Sequence, residues 1–402
     1  MPCHSIAARR AHASWWRAAA LALAALLAGC GGASNMFGSG SPLADAPAAA
    51  PASVGAPLVN GGVKVALVLP LSAGGNAGIA GESMRNAAEM ALAEFNGANI
   101  QLMTKDDGGT APGAQRAATQ AIDEGAEIII GPLFAHSVSS AKQVARSRGV
   151  PLIAFSTDSN VASSGAYLLS FLPESDVDRI VTYAISQGKK SFVALVPSNA
   201  YGSVVEGEFK QVVARRGGRV VTVEHYAEDR SKLGDVVKQV AQAGGRADAL
   251  FIPDGAEGVT DILQALANGG VNLRQFTVLG TGLWGDDPRV LSNPLLDGAW
   301  FAAPEPTGYR NFADRYRARY HQDPVRQATL AYDAVALVAA LAKTQGQQRF
   351  AADTLTNPSG FTGIDGVFRF RNDGSNQRGL AVMKVTSSGA QVVAPAPRSF
   401  NG

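Results

Sequence analysis

Short apolar segments alternate with amphipathic ones along this chain, and the alternation runs through twice. In the first pass, Val63–Leu69, Ile100–Met103, Glu127–Gly131 and Pro151–Phe155 read as strands. The first of them is apolar almost throughout, as in a strand buried on both faces. Between them, Gly81–Asn96, Gly113–Asp123 and Ser137–Arg148 read as helices, with Met84, Ala87, Ala88, Ala91 and Phe95 on one stripe of the first. In the second pass the strands are Ser191–Pro197, Arg219–His225, Asp248–Pro253 and Gln275–Gly280. Their helices are Asp176–Gln187, Gly202–Arg216, Leu233–Ala243 and Gly258–Asn268. Two runs of strand–helix units predict an α/β protein with two parallel sheets, each covered by helices on both faces. About 340 residues also exceed what one core holds, so two lobes follow from size.

After Trp300–Ala303 come two more helices, Asn311–Tyr320 and Thr329–Thr344. Val367–Arg371 and Ala381–Val385 then read as an antiparallel pair around the turn signal Asn372-Asp-Gly-Ser.

The N-terminus predicts export. Arg9, Arg10 and Arg17 precede an apolar run from Ala18 to Ala28, with no acid among them. The run is too short to span a membrane, which takes about twenty apolar residues. A basic segment followed by a short apolar core is a secretory signal. Leu27-Ala28-Gly29-Cys30 directly behind it resembles the bacterial lipobox, which implies a lipidated Cys30 at the mature N-terminus and attachment to a membrane. Gly31 at the next position, with no aspartate, leans towards the outer membrane. Residues 31–62 are rich in Gly, Ala, Ser and Pro and read as a tether unable to bury enough apolar surface to order itself.

Removal of residues 1–29 takes the three arginines and Cys3 with it and lowers the formal charge from +2 to −1. No basic excess is left to attract nucleic acid. With no mature cysteine beyond Cys30, there is no disulfide and no thiolate set for a metal. His136, His225 and His321 are scattered, so no metal is expected, and no cofactor either. Gly75-Asn-Ala-Gly78-Ile-Ala-Gly81 follows a strand and opens a helix, but its spacing is wrong for a dinucleotide fingerprint. No Gly-x-Ser-x-Gly is present, and an enzyme is not expected.

In open α/β sheets ligands bind beyond the carboxyl ends of the strands. Two facing sheets then share one cleft, whose loops are expected at 71–78, 132–137, 156–159, 198–202, 254–257 and 281–284. Ordered segments along these sheets carry a family likeness. They include Lys64–Ser72, Met84–Leu92, Lys105–Gly108, Ile128–Leu133, Gly149–Ile153 and Ala200–Gly202. Together they resemble the leucine/isoleucine/valine-binding proteins, which are type I periplasmic binding proteins, over residues 63 to 390. That resemblance implies two lobes joined by three crossovers near 172, 304 and 363. Lobe 1 would hold 63–172 and 305–363, and lobe 2 would hold 173–304 and 364–396. It also implies a small ligand, amino acid-like or peptide-like, between the lobes, with an ABC permease as partner.

The amino-acid clamp of that family is only partly kept. Phe134-Ala-His136 precedes Ser137 where a serine is expected early, and Asp158 stands where a neutral threonine is usual. A carboxylate there would repel a ligand's own carboxylate. Tyr201 is present, whereas the acid expected after the 275–280 strand is replaced by Gly280-Thr-Gly-Leu-Trp284. The candidate ligand-binding residues are therefore Ser137, Ser156, Thr157, Asp158, Tyr201, Asp254 and Trp284. Each has a plainer role open to it. Ser156, Thr157 and Asp158 either meet a ligand or cap the next segment. Tyr201 stacks on a ligand or packs at a helix start, Trp284 lines the cleft or fills the core, and Asp254 meets an amine or caps a helix. The chain is also similar to the activator-like lipoproteins of the penicillin-binding protein activator group that contain only the binding-protein domain. This second resemblance implies a peptidoglycan synthase as partner and a muropeptide as another ligand class.

Overall fold

The computed structural model describes residues 62–95, 99–230, 233–285 and 287–400. The expected signal peptide, Cys30 and all but residue 62 of the expected tether lie outside them. The first half runs β1 (Val63–Leu69), α1 (Gly75–Glu94), β2 (Ile100–Asp106), α2 (Ala111–Asp123), β3 (Ile128–Ile130), α3 (Ala135–Ser147), β4 (Leu152–Ala154) and β5 (Ala166–Leu168). Its strands form a parallel sheet in the order β2-β1-β3-β4-β5. Val65 pairs with Leu102 on one side and Ile128 on the other.

The chain then crosses to α4 (Pro173–Ser186), β6 (Ser191–Pro197), α5 (Ala200–Arg215), β7 (Arg219–Tyr226) and α6 (Leu233–Ala243). β8 (Ala249–Phe251), α7 (Ala256–Asn268), β9 (Thr277–Gly280), α8 (Pro288–Leu291) and β10 (Trp300–Ala303) complete this pass. It returns through α9 (Pro306–Tyr320), α10 (Ala328–Thr344) and α11 (Ala352–Leu355). The last segments are β11 (Phe361–Gly363), β12 (Gly366–Phe370), β13 (Asn376–Arg378), β14 (Ala381–Thr386) and β15 (Gly389–Ala394). The second sheet has the order β15-β14-β10-β9-β8-β6-β7. Without its two antiparallel additions, β14 and β15, it repeats the order of the first.

The apolar strands explain the layering. Successive side chains of a strand point to opposite faces. Val65, Leu67 and Leu69 of β1 accordingly join the core beneath α1 and α10, while Ala66 and Val68 join the one beneath α2 and α3. In β6, Val193 and Leu195 meet α6 and α7, and Phe192, Ala194 and Val196 meet α4 and α5. Both sheets are therefore doubly wound, as the two-pass alternation predicts. Caps fix where the helices begin. Thr110 Oγ1 accepts from the Gly113 N–H at 3.1 Å, and Asn199 Oδ1 from the Gly202 N–H at 2.9 Å. Pro173 opens α4, with Glu174 and Asp176 in its first turn, where acids favour the positive end of the helix.

Two sequence expectations are corrected. The glycine-rich segment before residue 81 is helix, since α1 already begins at Gly75. A Cβ on Gly78 would come within 2.1 Å of the Ala73 carbonyl oxygen, so this glycine serves a close backbone approach and not an open loop. The pair expected between 367–371 and 381–385 does not form. β12 pairs with β13, and β14 pairs with β10 and β15. The turn expected at 372–375 forms, with the Gly374 N–H on the Arg371 carbonyl at 2.9 Å, but the three residues of β13 follow it at once and take the pairing. Phe361, Phe368 and Phe370 of this small sheet pack with the core of the first sheet. The chain joins the second sheet only at Ala381, well beyond the passage expected near 363.

Candidate functional site

The loops beyond the strand ends of the first sheet carry one set of candidates, the first wall of the expected cleft. Asp106, closing β2, accepts from the backbone of Ser72 at 3.1 Å and of Gly108 at 2.9 Å. Those bonds and the Ser72 hydroxyl hold its carboxyl low against the opposing effect of burial. Asp107 is buried and accepts from the Gly109 N–H at 2.8 Å. Burial pushes its carboxyl up, with the Ser137 hydroxyl among the groups pulling the other way. Ser137 itself lies inside the first turn of α3 with no exposed surface, beside Asp107. His136 sits against the Gly109 carbonyl at 2.8 Å and stacks on Phe134.

Beyond β4, Ser156 is buried and its Oγ accepts from the Asp158 N–H at 3.1 Å, while Thr157 is exposed. Asp158 Oδ1 accepts from the backbone and the side chain of Asn160 at 3.0 and 2.9 Å, capping the turn at Ser159–Val161. Ser156 and Asp158 therefore both have backbone-capping work, and the Asp158 carboxylate is turned onto Asn160.

The second set, the other wall of the expected cleft, comes from the second sheet. Tyr201, in the first turn of α5, meets Thr281 Oγ1 at 3.1 Å. Burial pushes its phenol up, the Thr281 contact opposes that, and the nearby Asp176 and Asp254 raise it further. Asp254, following β8, accepts from Tyr226 Oη at 2.7 Å and from the Gly255 N–H at 2.7 Å. Trp284 does not offer a face to the cleft. It is fully buried in the core between α7 and β10, 5.7 Å from the Phe301 ring, and only borders a cavity of about 290 Å³ with Pro304 and Tyr309.

Three residues on this wall escaped the sequence reading. Thr281 and Tyr226 hold the two candidates Tyr201 and Asp254. Asp176 of α4 accepts from the Gly282 N–H at 2.9 Å, so an acid from a distant element supports the loop where the family's own acid is missing. Burial pushes the Asp176 carboxyl up to about 7. The only trace in the sequence is an acid in the first turn of a helix, a placement that helix electrostatics alone accounts for. The structure thus brings Tyr201, Thr281 and Asp176 into one group and Tyr226 with Asp254 into another. Ser156, Thr157 and Asp158 stay on the first wall, and Ser137 and Trp284 lie within the lobes.

A family model described as periplasmic binding protein matches residues 62–390. The chain belongs to the periplasmic binding protein family. The same fold occurs in a putative branched-chain amino acid ABC transporter from Rhodospirillum rubrum, with a TM-score of 0.73 at 19% identity over 83% of this chain and 100% of that one. It occurs too in an ABC transporter substrate-binding protein from Desulfitobacterium hafniense in complex with Leu, with a TM-score of 0.61 at 17% identity over 83% of this chain and 100% of that one. In sequence, 107 residues are 27% identical to the penicillin-binding protein activator LpoA of Vibrio cholerae, covering 26% of this chain and 18% of that relative. The chain spans less than half the length of the curated relatives it matches. A periplasmic binding protein captures solutes and is not a catalyst. Among the described residues of this one, no helix is long and apolar enough to cross a membrane.

Proposed function

We propose that this periplasmic binding protein is lipid-anchored through Cys30 and closes its lobes on a small amino acid-like or peptide-like solute for an ABC-type importer. The observation that carries this reading is the second wall of the cleft. Tyr201, Tyr226 and Asp254 place two phenols and a carboxylate at strand ends, where α/β folds hold ligands. Such a wall suits a ligand amine. On the first wall, the Asp158 carboxylate is engaged by Asn160, which lessens its repulsion of a ligand carboxylate. A ligand touching both walls favours the closed form by its differential affinity, and a permease reads that shape. By the lipobox and Gly31, the outer membrane is the expected site of anchoring.

A second reading is a scaffold for peptidoglycan synthases, supported by the 107-residue likeness to the Vibrio cholerae activator. Thermal unfolding against amino acids, short peptides and muropeptides separates the two. A ligand at 100 times its Kd adds about 2.7 kcal/mol, or a few degrees in Tm. A reproducible rise with one chemical class supports the solute receptor and names its ligand. A flat panel defeats that reading for those ligands and leaves the scaffold.

A further inference from the structure

A cavity of about 960 Å³ touches the expected cleft loops only at Ser159 and has none of Tyr201, Tyr226, Asp254 or Thr281 in its lining. Its walls are α4, the C-terminal half of α5, the β12–β13 turn with β13, and residues 397 and 400. Five guanidinium groups line it, from Arg179, Arg215, Arg216, Arg371 and Arg378. Arg215 is committed to Asp178 at 2.7 Å and Glu208 at 3.7 Å. Arg179 spends one nitrogen on the Pro395 carbonyl at 3.1 Å. Arg216 and Arg371 are exposed, and among the described residues their side chains form no hydrogen bond or ion pair.

Arg378 is the unusual member. It is 5% exposed, held by Nε on the Ser170 carbonyl at 2.9 Å, with its guanidinium 4.8 Å from the Phe171 ring. Both of its Nη atoms are buried with no partner. Asp176, Asp333 and Asp365 are near enough to offset its charge, but none hydrogen-bonds it. A buried donor left unmade costs free energy, and a guanidinium offers two parallel donors that match an oxyanion.

We propose that this groove is a second binding site, taking the carboxylate or phosphate group of a solute onto Arg378, with Arg371 and Arg216 at its mouth. Glu174 on the same wall also has a buried oxygen without a partner, and Asp373 in the lining lies close enough to Arg371 to be lowered by its charge, so both acids oppose the anion and limit affinity. The groove shares Ser159 with a cleft loop and has Asp176 near Arg378. None of Tyr201, Thr281, Tyr226 and Asp254 lines it, so the proposal does not rest on what the cleft binds.

Isothermal titration calorimetry of the purified full chain with citrate and with inorganic phosphate, each against sodium chloride of equal ionic strength, tests this. Saturable binding of at least one anion is expected, weakened about tenfold by Arg371→Gln. Arg378→Lys, which keeps charge but loses the fork, should weaken it at least as much, and Glu174→Gln should strengthen it. Arg371 and Arg216 are on the surface, so R371Q and R216Q remain informative even if the Arg378 variant fails to fold. Asp254→Asn, which alters the cleft alone, should leave the affinity for citrate and phosphate unchanged. The proposal is overturned by heats no larger than the salt control for both anions, or by binding that R371Q and R216Q leave intact. Binding lost in D254N would overturn it too, by putting the anion in the cleft.

Discussion

Tyr226 donates to Asp254 at 2.7 Å and Tyr201 meets Thr281 at 3.1 Å, so the phenols of the second wall are held in place before any ligand arrives. Preorganised donors of this kind reduce the ordering cost of binding. Asp254→Ala removes the carboxylate that suits a ligand amine. Calorimetry with whichever amino acid or peptide raises Tm should show at least a tenfold loss of affinity, about 1.5–3 kcal/mol for a charged hydrogen bond. An unchanged Kd would remove Asp254 from the site. Trp284→Ala makes the opposite kind of demand. Its ring fills the core beside Phe301, and truncating a buried tryptophan costs about 3–5 kcal/mol. Denaturant unfolding should show that loss with ligand affinity little changed. A cost under about 1 kcal/mol, or a selective loss of binding, would return Trp284 to the cleft.

At the scale of elements, the strands were legible because burial on both faces leaves unbroken apolar runs. β1, β6 and α6 begin and end where the pattern says, at Val63–Leu69, Ser191–Pro197 and Leu233–Ala243. What the pattern missed was pairing. β13 is only Asn376–Arg378, polar throughout, and carries no strand signature. Tertiary bonds hold it: Asn376 Nδ2 donates to the Leu168 and Ser170 carbonyls at 2.8 and 2.9 Å. The same kind of contact hid the cleft group, because Asp176 and Gly282 are distant in sequence and no spacing links them. The turn before β13 is fixed by Gly374, at φ +85°, whose added Cβ would lie 2.4 Å from the Ala166 and Ser163 carbonyl oxygens. Its own carbonyl accepts from the Leu168 N–H at 2.8 Å. Gly374→Ala should therefore undock the turn from β5 and destabilise the fold by more than about 1 kcal/mol, since strain and clash add. Hydrogen exchange at Leu168 should quicken by a larger factor than at β6. Protection unchanged at Leu168 would mean that the turn does not brace this crossover.

Over the whole molecule, the crossings between the sheets converge on a buried charge cluster. Phe171, on the first crossing, lies between the Arg326 and Arg378 guanidiniums at 4.4 and 4.8 Å. Arg326 grips Asp365 through two bonds of 2.6 and 3.0 Å. Asp333 of α10 is almost fully buried beside them and accepts from the Ile364 N–H at 2.8 Å, with its second oxygen unpartnered. Burial, then the neighbouring Asp365, push its carboxyl up to about 7, against the pull of Arg378 and Arg326. An unfolded aspartate titrates near about 3.9. Between those values the folded chain holds a proton that the unfolded chain has released, so this group's contribution is complete below about pH 4 and is lost as pH rises through about 7. Asp176 acts in the same sense, but it is only partly buried and solvent reduces its share. Carboxyls held low, such as Asp106 and Asp248, slope the other way, so the wild-type curve alone mixes the two signs. Asp333→Asn separates them. It keeps the acceptor for Ile364 and cannot ionise, so the variant should gain stability relative to the wild type as pH rises from 5 to 8. Denaturant unfolding of both proteins at the two pH values measures this directly. A difference that does not change with pH would mean that Asp333 keeps one charge state throughout, with Arg378 drawn onto its free oxygen in solution.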